Sequence, residues 1–570
     1  MTLLVAVNSQ FIHTNPALAL LAAAGEAVVT LECNVNQPYG HILRAIHARK
    51  PDLVGFSCYI WNIGLVRALA ADLRLALPGC AILLGGPEVS YDPEDYIQEG
   101  LADYVICGEG EASFARLLAA RRCSSPDFSA IPGLVYRKGP EIRRNPPLPA
   151  PIPPYPIPAA LPERQILYYE ASRGCPYYCG YCLSAGEALR LKPLARVEAE
   201  LTALLALKPR QVKFLDRCFN ANPSHARAIW RFLLADNHQT CFHFEINADL
   251  LDGEALALLA EAPPGQFQLE IGVQTANPQV LDGIGRKSDL PRLLAAADAL
   301  RKPGNIHLHL DLIAGLPGED YASFARSFDA VYAHRPDQLQ LGFLKLLKGS
   351  RLREQAAEQG VVYSRQPPYE VLATREMSFG ALARLKAVEE VLNAFYNSGR
   401  CRYGLELVQR AFPSAFALYE TLAEHWQSRG HDARPHGKWA VYDIFREFAG
   451  AYVREDELLD CLRLDVYALE NENSPPEWLA APPSPEEKAA RRELLLREAK
   501  KQGLGHLPLR ELLRLFRVER FTHDMAAFAA EGLLIRRPAT LLFRYQVQGH
   551  DLGMKPRILR ENFTRIEEGP

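Results

Sequence analysis

No stretch of this sequence approaches the ~18 uninterrupted apolar residues of a transmembrane helix, so no membrane span is expected. The opening MTLLVAVNSQ has no basic residues ahead of its apolar run. Leu3–Val7 therefore reads as a buried strand rather than a signal peptide, and a cytoplasmic chain is expected. A dominant charge is also missing. Lys and Arg number 64 against 67 Asp and Glu, a formal net charge of -3, which excludes a strong global field for polyanions but not a local patch. Internal repeats are absent, and a proline tract is the only biased segment. What is present is ordinary for a globular protein: 48% hydrophobic and 23% charged residues over 570 positions. That length suits roughly three or four domains of about 150 residues. Twelve cysteines in a cytoplasmic chain are not expected to form a disulfide framework. Cys33, Cys58, Cys80, Cys107 and Cys241 lie in or beside apolar runs and read as small buried hydrophobes.

Residues 1–121 alternate β-rich runs (Leu3–Val7, Ala27–Glu32, Leu53–Ser57, Ala81–Leu84, Tyr104–Cys107) with helical patterns such as Gly64–Leu77 and Glu111–Ala120. This alternation predicts an α/β domain with a doubly wound parallel sheet, whose ligands bind at the carboxyl ends of the strands. Those ends read NSQFIH, SCYIWN, GGPEVS and GEGE. Small residues there let a large ligand approach the backbone. Residues 122–163 hold twelve prolines, including PPLPAPIPPYPIP, and predict an extended linker. Residues 164–350 return to alternation, with strands expected at Ile166–Ala171, Val212–Leu215, Phe242–Ile246, Phe267–Val273, Ile306–Ile313 and Gln338–Phe343. Six βα units suggest a partial (βα)6 TIM-like barrel. Residues 351–570 read as a mainly helical C-terminal domain, with amphipathic helices at Leu382–Tyr396 and Pro485–Lys501, another over Tyr442–Tyr467, and a small β element at LLFRYQV.

The first barrel strand runs straight into SRGCPYYCGYCL, residues 172–183, in which Cys175, Cys179 and Cys182 form CxxxCxxC. Thiolates suit iron–sulfur clusters, and three of them on a four-iron cluster leave one iron open to chelate a substrate. Zinc would want a fourth Cys or His nearby, and none lies within about 30 residues.

This segment closely resembles the signature of the radical SAM superfamily, including Tyr181 before the last cysteine. The resemblance implies an oxygen-sensitive [4Fe-4S] cluster on Cys175, Cys179 and Cys182, and S-adenosyl-L-methionine as its ligand. It continues along the barrel. KFLDRCF resembles the second strand, where Asp216 would meet the methionyl amine. LEIGVQT resembles the fourth, where Glu270 and Gln274 would face the ribose or methionine moiety. DLIAGLPGE resembles the fifth, where Ile313 and Gly315 would contact the adenine. For each residue a purely structural role is the competing reading.

The N-terminal segments PDLVGFSCYIWNI, ILLGGPEVSYDPEDYI and ADYVICGEGE resemble the cobalamin-binding domain upstream of many radical SAM enzymes. The DxHxxG motif of cobalamin domains with a cobalt-ligating histidine is absent; His13, His41 and His47 have other neighbours. The radical SAM subclass commonly lacks it too. Ser57, Tyr59, Trp61, Gly85, Gly86, Glu109 and Gly110 are the contact candidates for cobalamin. The resemblance implies a cobalamin-dependent methyltransferase acting on an unactivated centre through a 5′-deoxyadenosyl radical and methylcobalamin. A rearrangement or cyclisation enzyme is one alternative. An RNA- or protein-binding factor with a structural or sensory cluster is the other. A flavodoxin or ferredoxin is the implied electron donor. MSFGALARLKAVEEVLNAFYNSGR resembles a C-terminal extension of uncharacterised function in one branch of these proteins. Residues 486–570 hold 17 Lys and Arg against 12 Asp and Glu, an excess of five, and Arg510, Arg514 and Arg517 fall at helical spacing. This reads as a solvated face, or more sharply as a surface for nucleic acid or an anionic substrate.

Overall fold

The computed structural model describes residues 1–25, 27–161, 166–235, 240–480, 483–545 and 562–566. The N-terminal strands are β1 (Thr2–Asn8), β2 (Val28–Asn34), β3 (Leu53–Ser57), β4 (Ala81–Gly85) and β5 (Tyr104–Ile106). They pair in parallel in the order β2-β1-β3-β4-β5. Alternation along β1 explains the double winding. Leu3, Val5 and Val7 face the helices Tyr39–His47 and Ile63–Ala76, while Leu4 and Ala6 face the helices Pro16–Ala23 and Glu111–Arg121.

The expected linker fails over its first half. Residues Leu134–Lys138 (β6) and Glu141–Arg144 (β7) extend this sheet as an antiparallel hairpin. Pro140 follows Gly139 (φ +60°) in the turn, where neither ring nor missing N–H disturbs the ladder. The prolines concentrate after it, and the extended stretch beyond is strapped to the next domain. Tyr155 N donates to Glu200 (2.9 Å), and Arg196 donates to the Ile152 carbonyl (2.9 Å).

The second domain opens with β8 (Leu167–Tyr169), then a hairpin of β9 (Ser172–Cys175) and β10 (Glu187–Leu191). It continues with β11 (Gln211–Phe214), β12 (Cys241–Ile246), β13 (Phe267–Gln274), β14 (His307–Ala314) and β15 (Gln338–Phe343). Strands β8, β11, β12, β13, β14 and β15 pair in sequence order, all parallel, as expected of a partial barrel. Outward-facing Phe214, Phe242, Phe244, Phe267 and Leu269 are fully buried under the helices.

Helices 379–391, 402–409, 415–428, 438–449 and 455–469 share one core with the barrel, for example Phe328 and Tyr332 against Phe416 and Tyr419. The expected helix Tyr442–Tyr467 is two helices parted by residues 450–454, and Leu382–Tyr396 ends in a wider turn over Leu392–Asn397. Beyond Pro485–Lys501, which is helical as expected, lies an antiparallel sheet of Phe516–Phe521, Ala539–Arg544 and Phe563–Ile566. Arg517 therefore sits on a strand and does not continue the helical face of Arg510 and Arg514: Phe516 and Val518 are buried on one side of the ribbon, Glu519 and Phe521 on the other. No helix among the described residues is long and apolar enough to cross a membrane.

Candidate functional site

The three cysteines lie on the turn between β9 and β10, directly past the carboxyl end of β8. Cys175 and Cys179 are buried and Cys182 is half-buried. The turn is tied at several points: Cys182 N to Cys179 O (3.0 Å), Gly186 N to Tyr177 O (2.8 Å) and Gly180 N to Ile284 O (2.7 Å). Two glycines are required. At Gly174 (φ +89°) a Cβ would stand 2.3 Å from the Ala188 carbonyl oxygen, and at Gly186 (φ +74°) it would strike the Tyr178 ring. The buried Arg286 guanidinium approaches the Cys179 sulfur at 3.8 Å, while a second nitrogen bonds the Asn247 side chain at 3.2 Å. Burial raises the Cys175 and Cys182 thiols. Arg286 and Arg217 favour their thiolates.

The barrel candidates divide. Asp216 is buried with both oxygens engaged, accepting from Ala171 N (3.0 Å) and Ser172 Oγ (2.5 Å), and burial pushes its carboxyl up to about 6. It fastens the chain just ahead of Cys175. Gln274 lies at the end of β13 with φ +72°, a conformation unfavourable for a residue with a side chain. Its amide folds back over Gly272, leaving a buried Oε1 without a hydrogen-bond partner. A strained residue with an orphaned acceptor beside the cysteine loop fits a ligand-contacting role. Ile313 is half-buried at the end of β14, and Gly315 (φ +86°) follows it into the turn.

Glu270 points into the lumen within a charged network. Its carboxylate lies 2.9 Å from His243 Nε2, 3.5 Å from Lys213 Nζ and 4.0 Å from His309 Nδ1. Burial opposes ionisation, but His243, Lys213 and His309 outweigh it and bring the carboxyl down to about 2. Asp311 lies 2.9 Å from His309 Nε2. Glu270, His309 and Asp311 bring ligand atoms within 4.8 Å of one another, but Lys213 already supplies the cation. Burial and the neighbouring Glu270 charge raise Glu245, one layer over, to about 7.

In the N-terminal domain, Tyr59 and Trp61 stack at 4.3 Å past the end of β3, and Trp61 is 47% exposed with its Nε1 donating to Val7 O (3.3 Å). Ser57 accepts from Asn15 (3.2 Å). Gly85 accepts from Cys58 N (2.7 Å). At Gly86 (φ +111°) a Cβ would stand 2.6 Å from Cys58 O, so only glycine lets these strand ends meet. Gly110 begins the helix Glu111–Arg121. Arg190 grips Glu109 with both terminal nitrogens, Arg173 lies 3.4 Å away, and Ala150 N donates to it at 3.3 Å. Its carboxylate ties the N-terminal domain to the β9–β10 hairpin. His13 is likewise used between domains, with Nδ1 2.5 Å from Tyr168 OH.

Sequence reasoning missed the residues between the domains. Exposed Arg217 stands electrostatically close to both Tyr59 and Cys182, and Tyr91 on the loop after β4 feels the charge of Cys182. The strand ends of the N-terminal domain therefore face the cysteine loop. Arg217 lies within KFLDRCF just past the end of β11, while Arg286 follows the helix Pro278–Gly283 and belongs to no motif.

Residues 2–118 match the B12 binding domain family and residues 169–331 match the radical SAM superfamily. The chain joins a B12 binding domain to a radical SAM domain. Residues 357–543 match a family described as protein of unknown function (DUF4080). The cobalamin-dependent radical SAM methyltransferase TokK of Streptomyces tokunonensis is 29% identical over 316 residues, 48% of this chain and 44% of that protein. The hopanoid C-3 methylase of Methylococcus capsulatus is 26% identical over 52% of this chain and 59% of its own length. The chain thus spans about half the length of these curated relatives. The radical S-adenosylmethionine methyltransferase TsrM of Kitasatospora setae, solved with cobalamin and a [4Fe-4S] cluster, superposes with a TM-score of 0.55 at 19% identity, covering 64% of this chain and 78% of that one. The cobalamin-dependent radical enzyme OxsB with aqua-cobalamin gives 0.55 at 14% identity over 88% and 76%. These two likenesses carry the fold.

Proposed function

We propose that this chain is a cobalamin-dependent radical SAM methyltransferase acting on an unactivated carbon or phosphorus centre of an unidentified substrate. The observation that carries the reading is a B12 binding domain match over residues 2–118 ahead of a radical SAM match over residues 169–331, with Glu109 of the first held by Arg190 on the hairpin that carries the cysteines. When bound, the two cofactor systems supply reductive cleavage of S-adenosylmethionine at a [4Fe-4S] cluster and delivery of a methyl group from cobalamin.

In this reading Cys175, Cys179 and Cys182 hold three irons, and Arg286 offsets thiolate charge at Cys179. Asp216 fixes the peptide leading into the loop. Gln274 Oε1 and the backbone around Gly315 receive S-adenosylmethionine. Trp61, stacked on Tyr59, offers a flat apolar face to a corrin, with Gly85 and Gly86 beside it. The charged lumen of Lys213, His243, Glu270, His309 and Asp311 holds water or polar substrate groups and disfavours an apolar chain. A flavodoxin or ferredoxin is the reductant in this proposal.

The test is an anaerobic assay of reconstituted protein with S-adenosylmethionine, hydroxocobalamin and a strong reductant. 5′-Deoxyadenosine together with S-adenosylhomocysteine is expected. The first product without the second would replace methyl transfer by rearrangement or cyclisation. Cys179→Ala is expected to lose reconstituted iron and both products; cleavage that survives it overturns the ligand assignment.

A further inference from the structure

The matched family over residues 357–543 carries no stated function, and this part of the chain contains a cleft of about 1100 Å³. Its walls are the helices 455–469, 485–501 and 509–515, the strand 516–521 and the segment between the first two. None of its lining residues belongs to the cysteine loop, the barrel strand ends or the corrin face.

The cleft is built around one carboxylate. Glu519 is 1% exposed and is shared by three guanidinium groups: Arg491 at 2.8 Å, Arg517 at 2.8 Å and Arg463 at 3.2 Å. Asp460 also stands 3.4 Å from Arg463, so two negative charges meet three positive ones, a surplus of one. Lys488, Arg492 and Arg520 also line the cleft. The other lining acid, Glu487, bonds the Ser484 backbone N–H in a capping box. Over the whole lining, six cations face two carboxylates, an excess of four.

The arginines are held in place before any ligand arrives. Arg517 stacks over Tyr467 at 4.1 Å and donates to Glu472 O at 2.6 Å. Arg463 lies over Phe521 at 4.8 Å and donates to Arg520 O at 3.0 Å, leaving its buried Nε without a partner. Fixed guanidinium forks with free N–H groups match phosphate oxygens. Lys488 and Arg492, four residues apart on one helix face, have no ion pair among the described residues. Leu509 and Leu513, on the helix 509–515, line the cleft as well, the second 51% exposed, with Leu479 and Leu495 almost fully buried in its wall. The volume is at the upper end of the about 300–1,000 Å³ of small-molecule sites, far more than a bare phosphate fills.

We propose that this cleft binds a phosphate-bearing small molecule whose organic part lies on Leu509 and Leu513. The surplus charge calls for a di- or polyanion. The concave placement, with cations on two facing elements, favours a compact ligand over a nucleic acid, which reads as a stripe along a surface.

Titration calorimetry of the full chain at low salt tests this, with uridine diphosphate and inorganic pyrophosphate as probes. Uridine avoids mimicry of the adenosine of S-adenosylmethionine. Uridine diphosphate is expected to bind with Kd below about 1 mM, and the double variant Lys488→Gln/Arg492→Gln to weaken it by about tenfold or more. Both positions are exposed on a helix, so the variant is expected to keep its fold. Arg429→Gln, at an exposed arginine outside the cleft, is expected to leave the affinity within about twofold. Tighter binding of uridine diphosphate than of pyrophosphate assigns the ligand to phosphate esters; equal binding assigns it to the phosphates alone. No binding of either probe, no effect of the double variant, an equal loss in Arg429→Gln, or displacement of uridine diphosphate by a single-stranded RNA oligomer overturns the proposal.

Discussion

Tyr369→Phe is the sharpest probe of how the corrin loop is held. The loop after β4 carries Gly85, Gly86 and then Glu88, which is 2% exposed. Tyr369, far along the chain, donates its hydroxyl to Glu88, and Lys348 stands 3.2 Å from the same oxygen and 2.8 Å from Asp92. The variant removes a single hydrogen bond to a buried charge while Lys348 still covers it. Such bonds contribute about 1.5–3 kcal/mol. A loss of about 2 kcal/mol corresponds to about 30-fold faster local opening. Hydrogen exchange at the amides of Cys58 and Glu88 reads it, because Cys58 N is bonded to Gly85 O and Glu88 N to Cys58 O. Both amides are expected to lose protection by about that factor, while those of β12 and β13 are unchanged. Protection at Cys58 and Glu88 within about twofold of the parent would refute the reasoning, because the carboxylate would then be satisfied by Lys348 alone.

Arg286→Gln removes a cation beside Cys179, so the reduced, more negative cluster loses stabilisation; its midpoint potential is expected to fall by about tens of millivolts in an EPR-monitored titration. Gly86→Ala is expected to abolish retention of hydroxocobalamin on gel filtration, because its Cβ meets Cys58 O at 2.6 Å and its φ is +111°. Glu319, buried and bonded by Thr275 and Ser327, is pushed up to about 7 by desolvation. Its folded-state value lies above its unfolded one, so its stability contribution is full below about pH 4.5 and falls as the pH rises through about 7, by about 3 kcal/mol in all. Glu319→Gln is expected to flatten that part of the denaturation-midpoint profile.

Periodicity located the strands of both α/β domains because each is a short, nearly continuous apolar run with both faces covered, and such runs end at glycine or proline. It misjudged residues 134–144, where density of proline was averaged over a window whose prolines lie mostly beyond the hairpin. Arg517 was misread because spacings of three and four residues fit a helix face only while the chain stays helical. Phe516 and Val518, alternating on one face, are the contrary signal. At the site, the spacing of the cysteines is local, so a single hairpin carries all three. The motifs around Gln274 and Gly315 end strands, where both residues take positive φ. The role of Glu109 was not legible in the sequence, since its partners Arg173 and Arg190 lie more than sixty residues away and only the fold brings them together.

The two α/β domains have separate apolar cores, and none of the buried clusters joins them among the described residues. Their contact is instead polar and directional. Arg173 pairs with Glu111 and Glu109, Arg190 with Glu109, Lys348 with Glu88 and Asp92, and Thr14 Oγ1 donates to Ile166 O at 2.9 Å. An apolar seam would tolerate sliding, because dispersion and burial are nearly independent of register. Forked guanidinium–carboxylate pairs do not tolerate it. Two of these fasteners sit on the structures that must face each other: Arg173 and Arg190 on the hairpin that carries the cysteines, and Glu88 beside the glycines of the corrin loop. The pairs are largely buried, Lys348 and Glu88 at 15% and 2% side-chain exposure, so removing one partner strands the other's charge and shifts in register are resisted. That suits a site that must align two reactive groups.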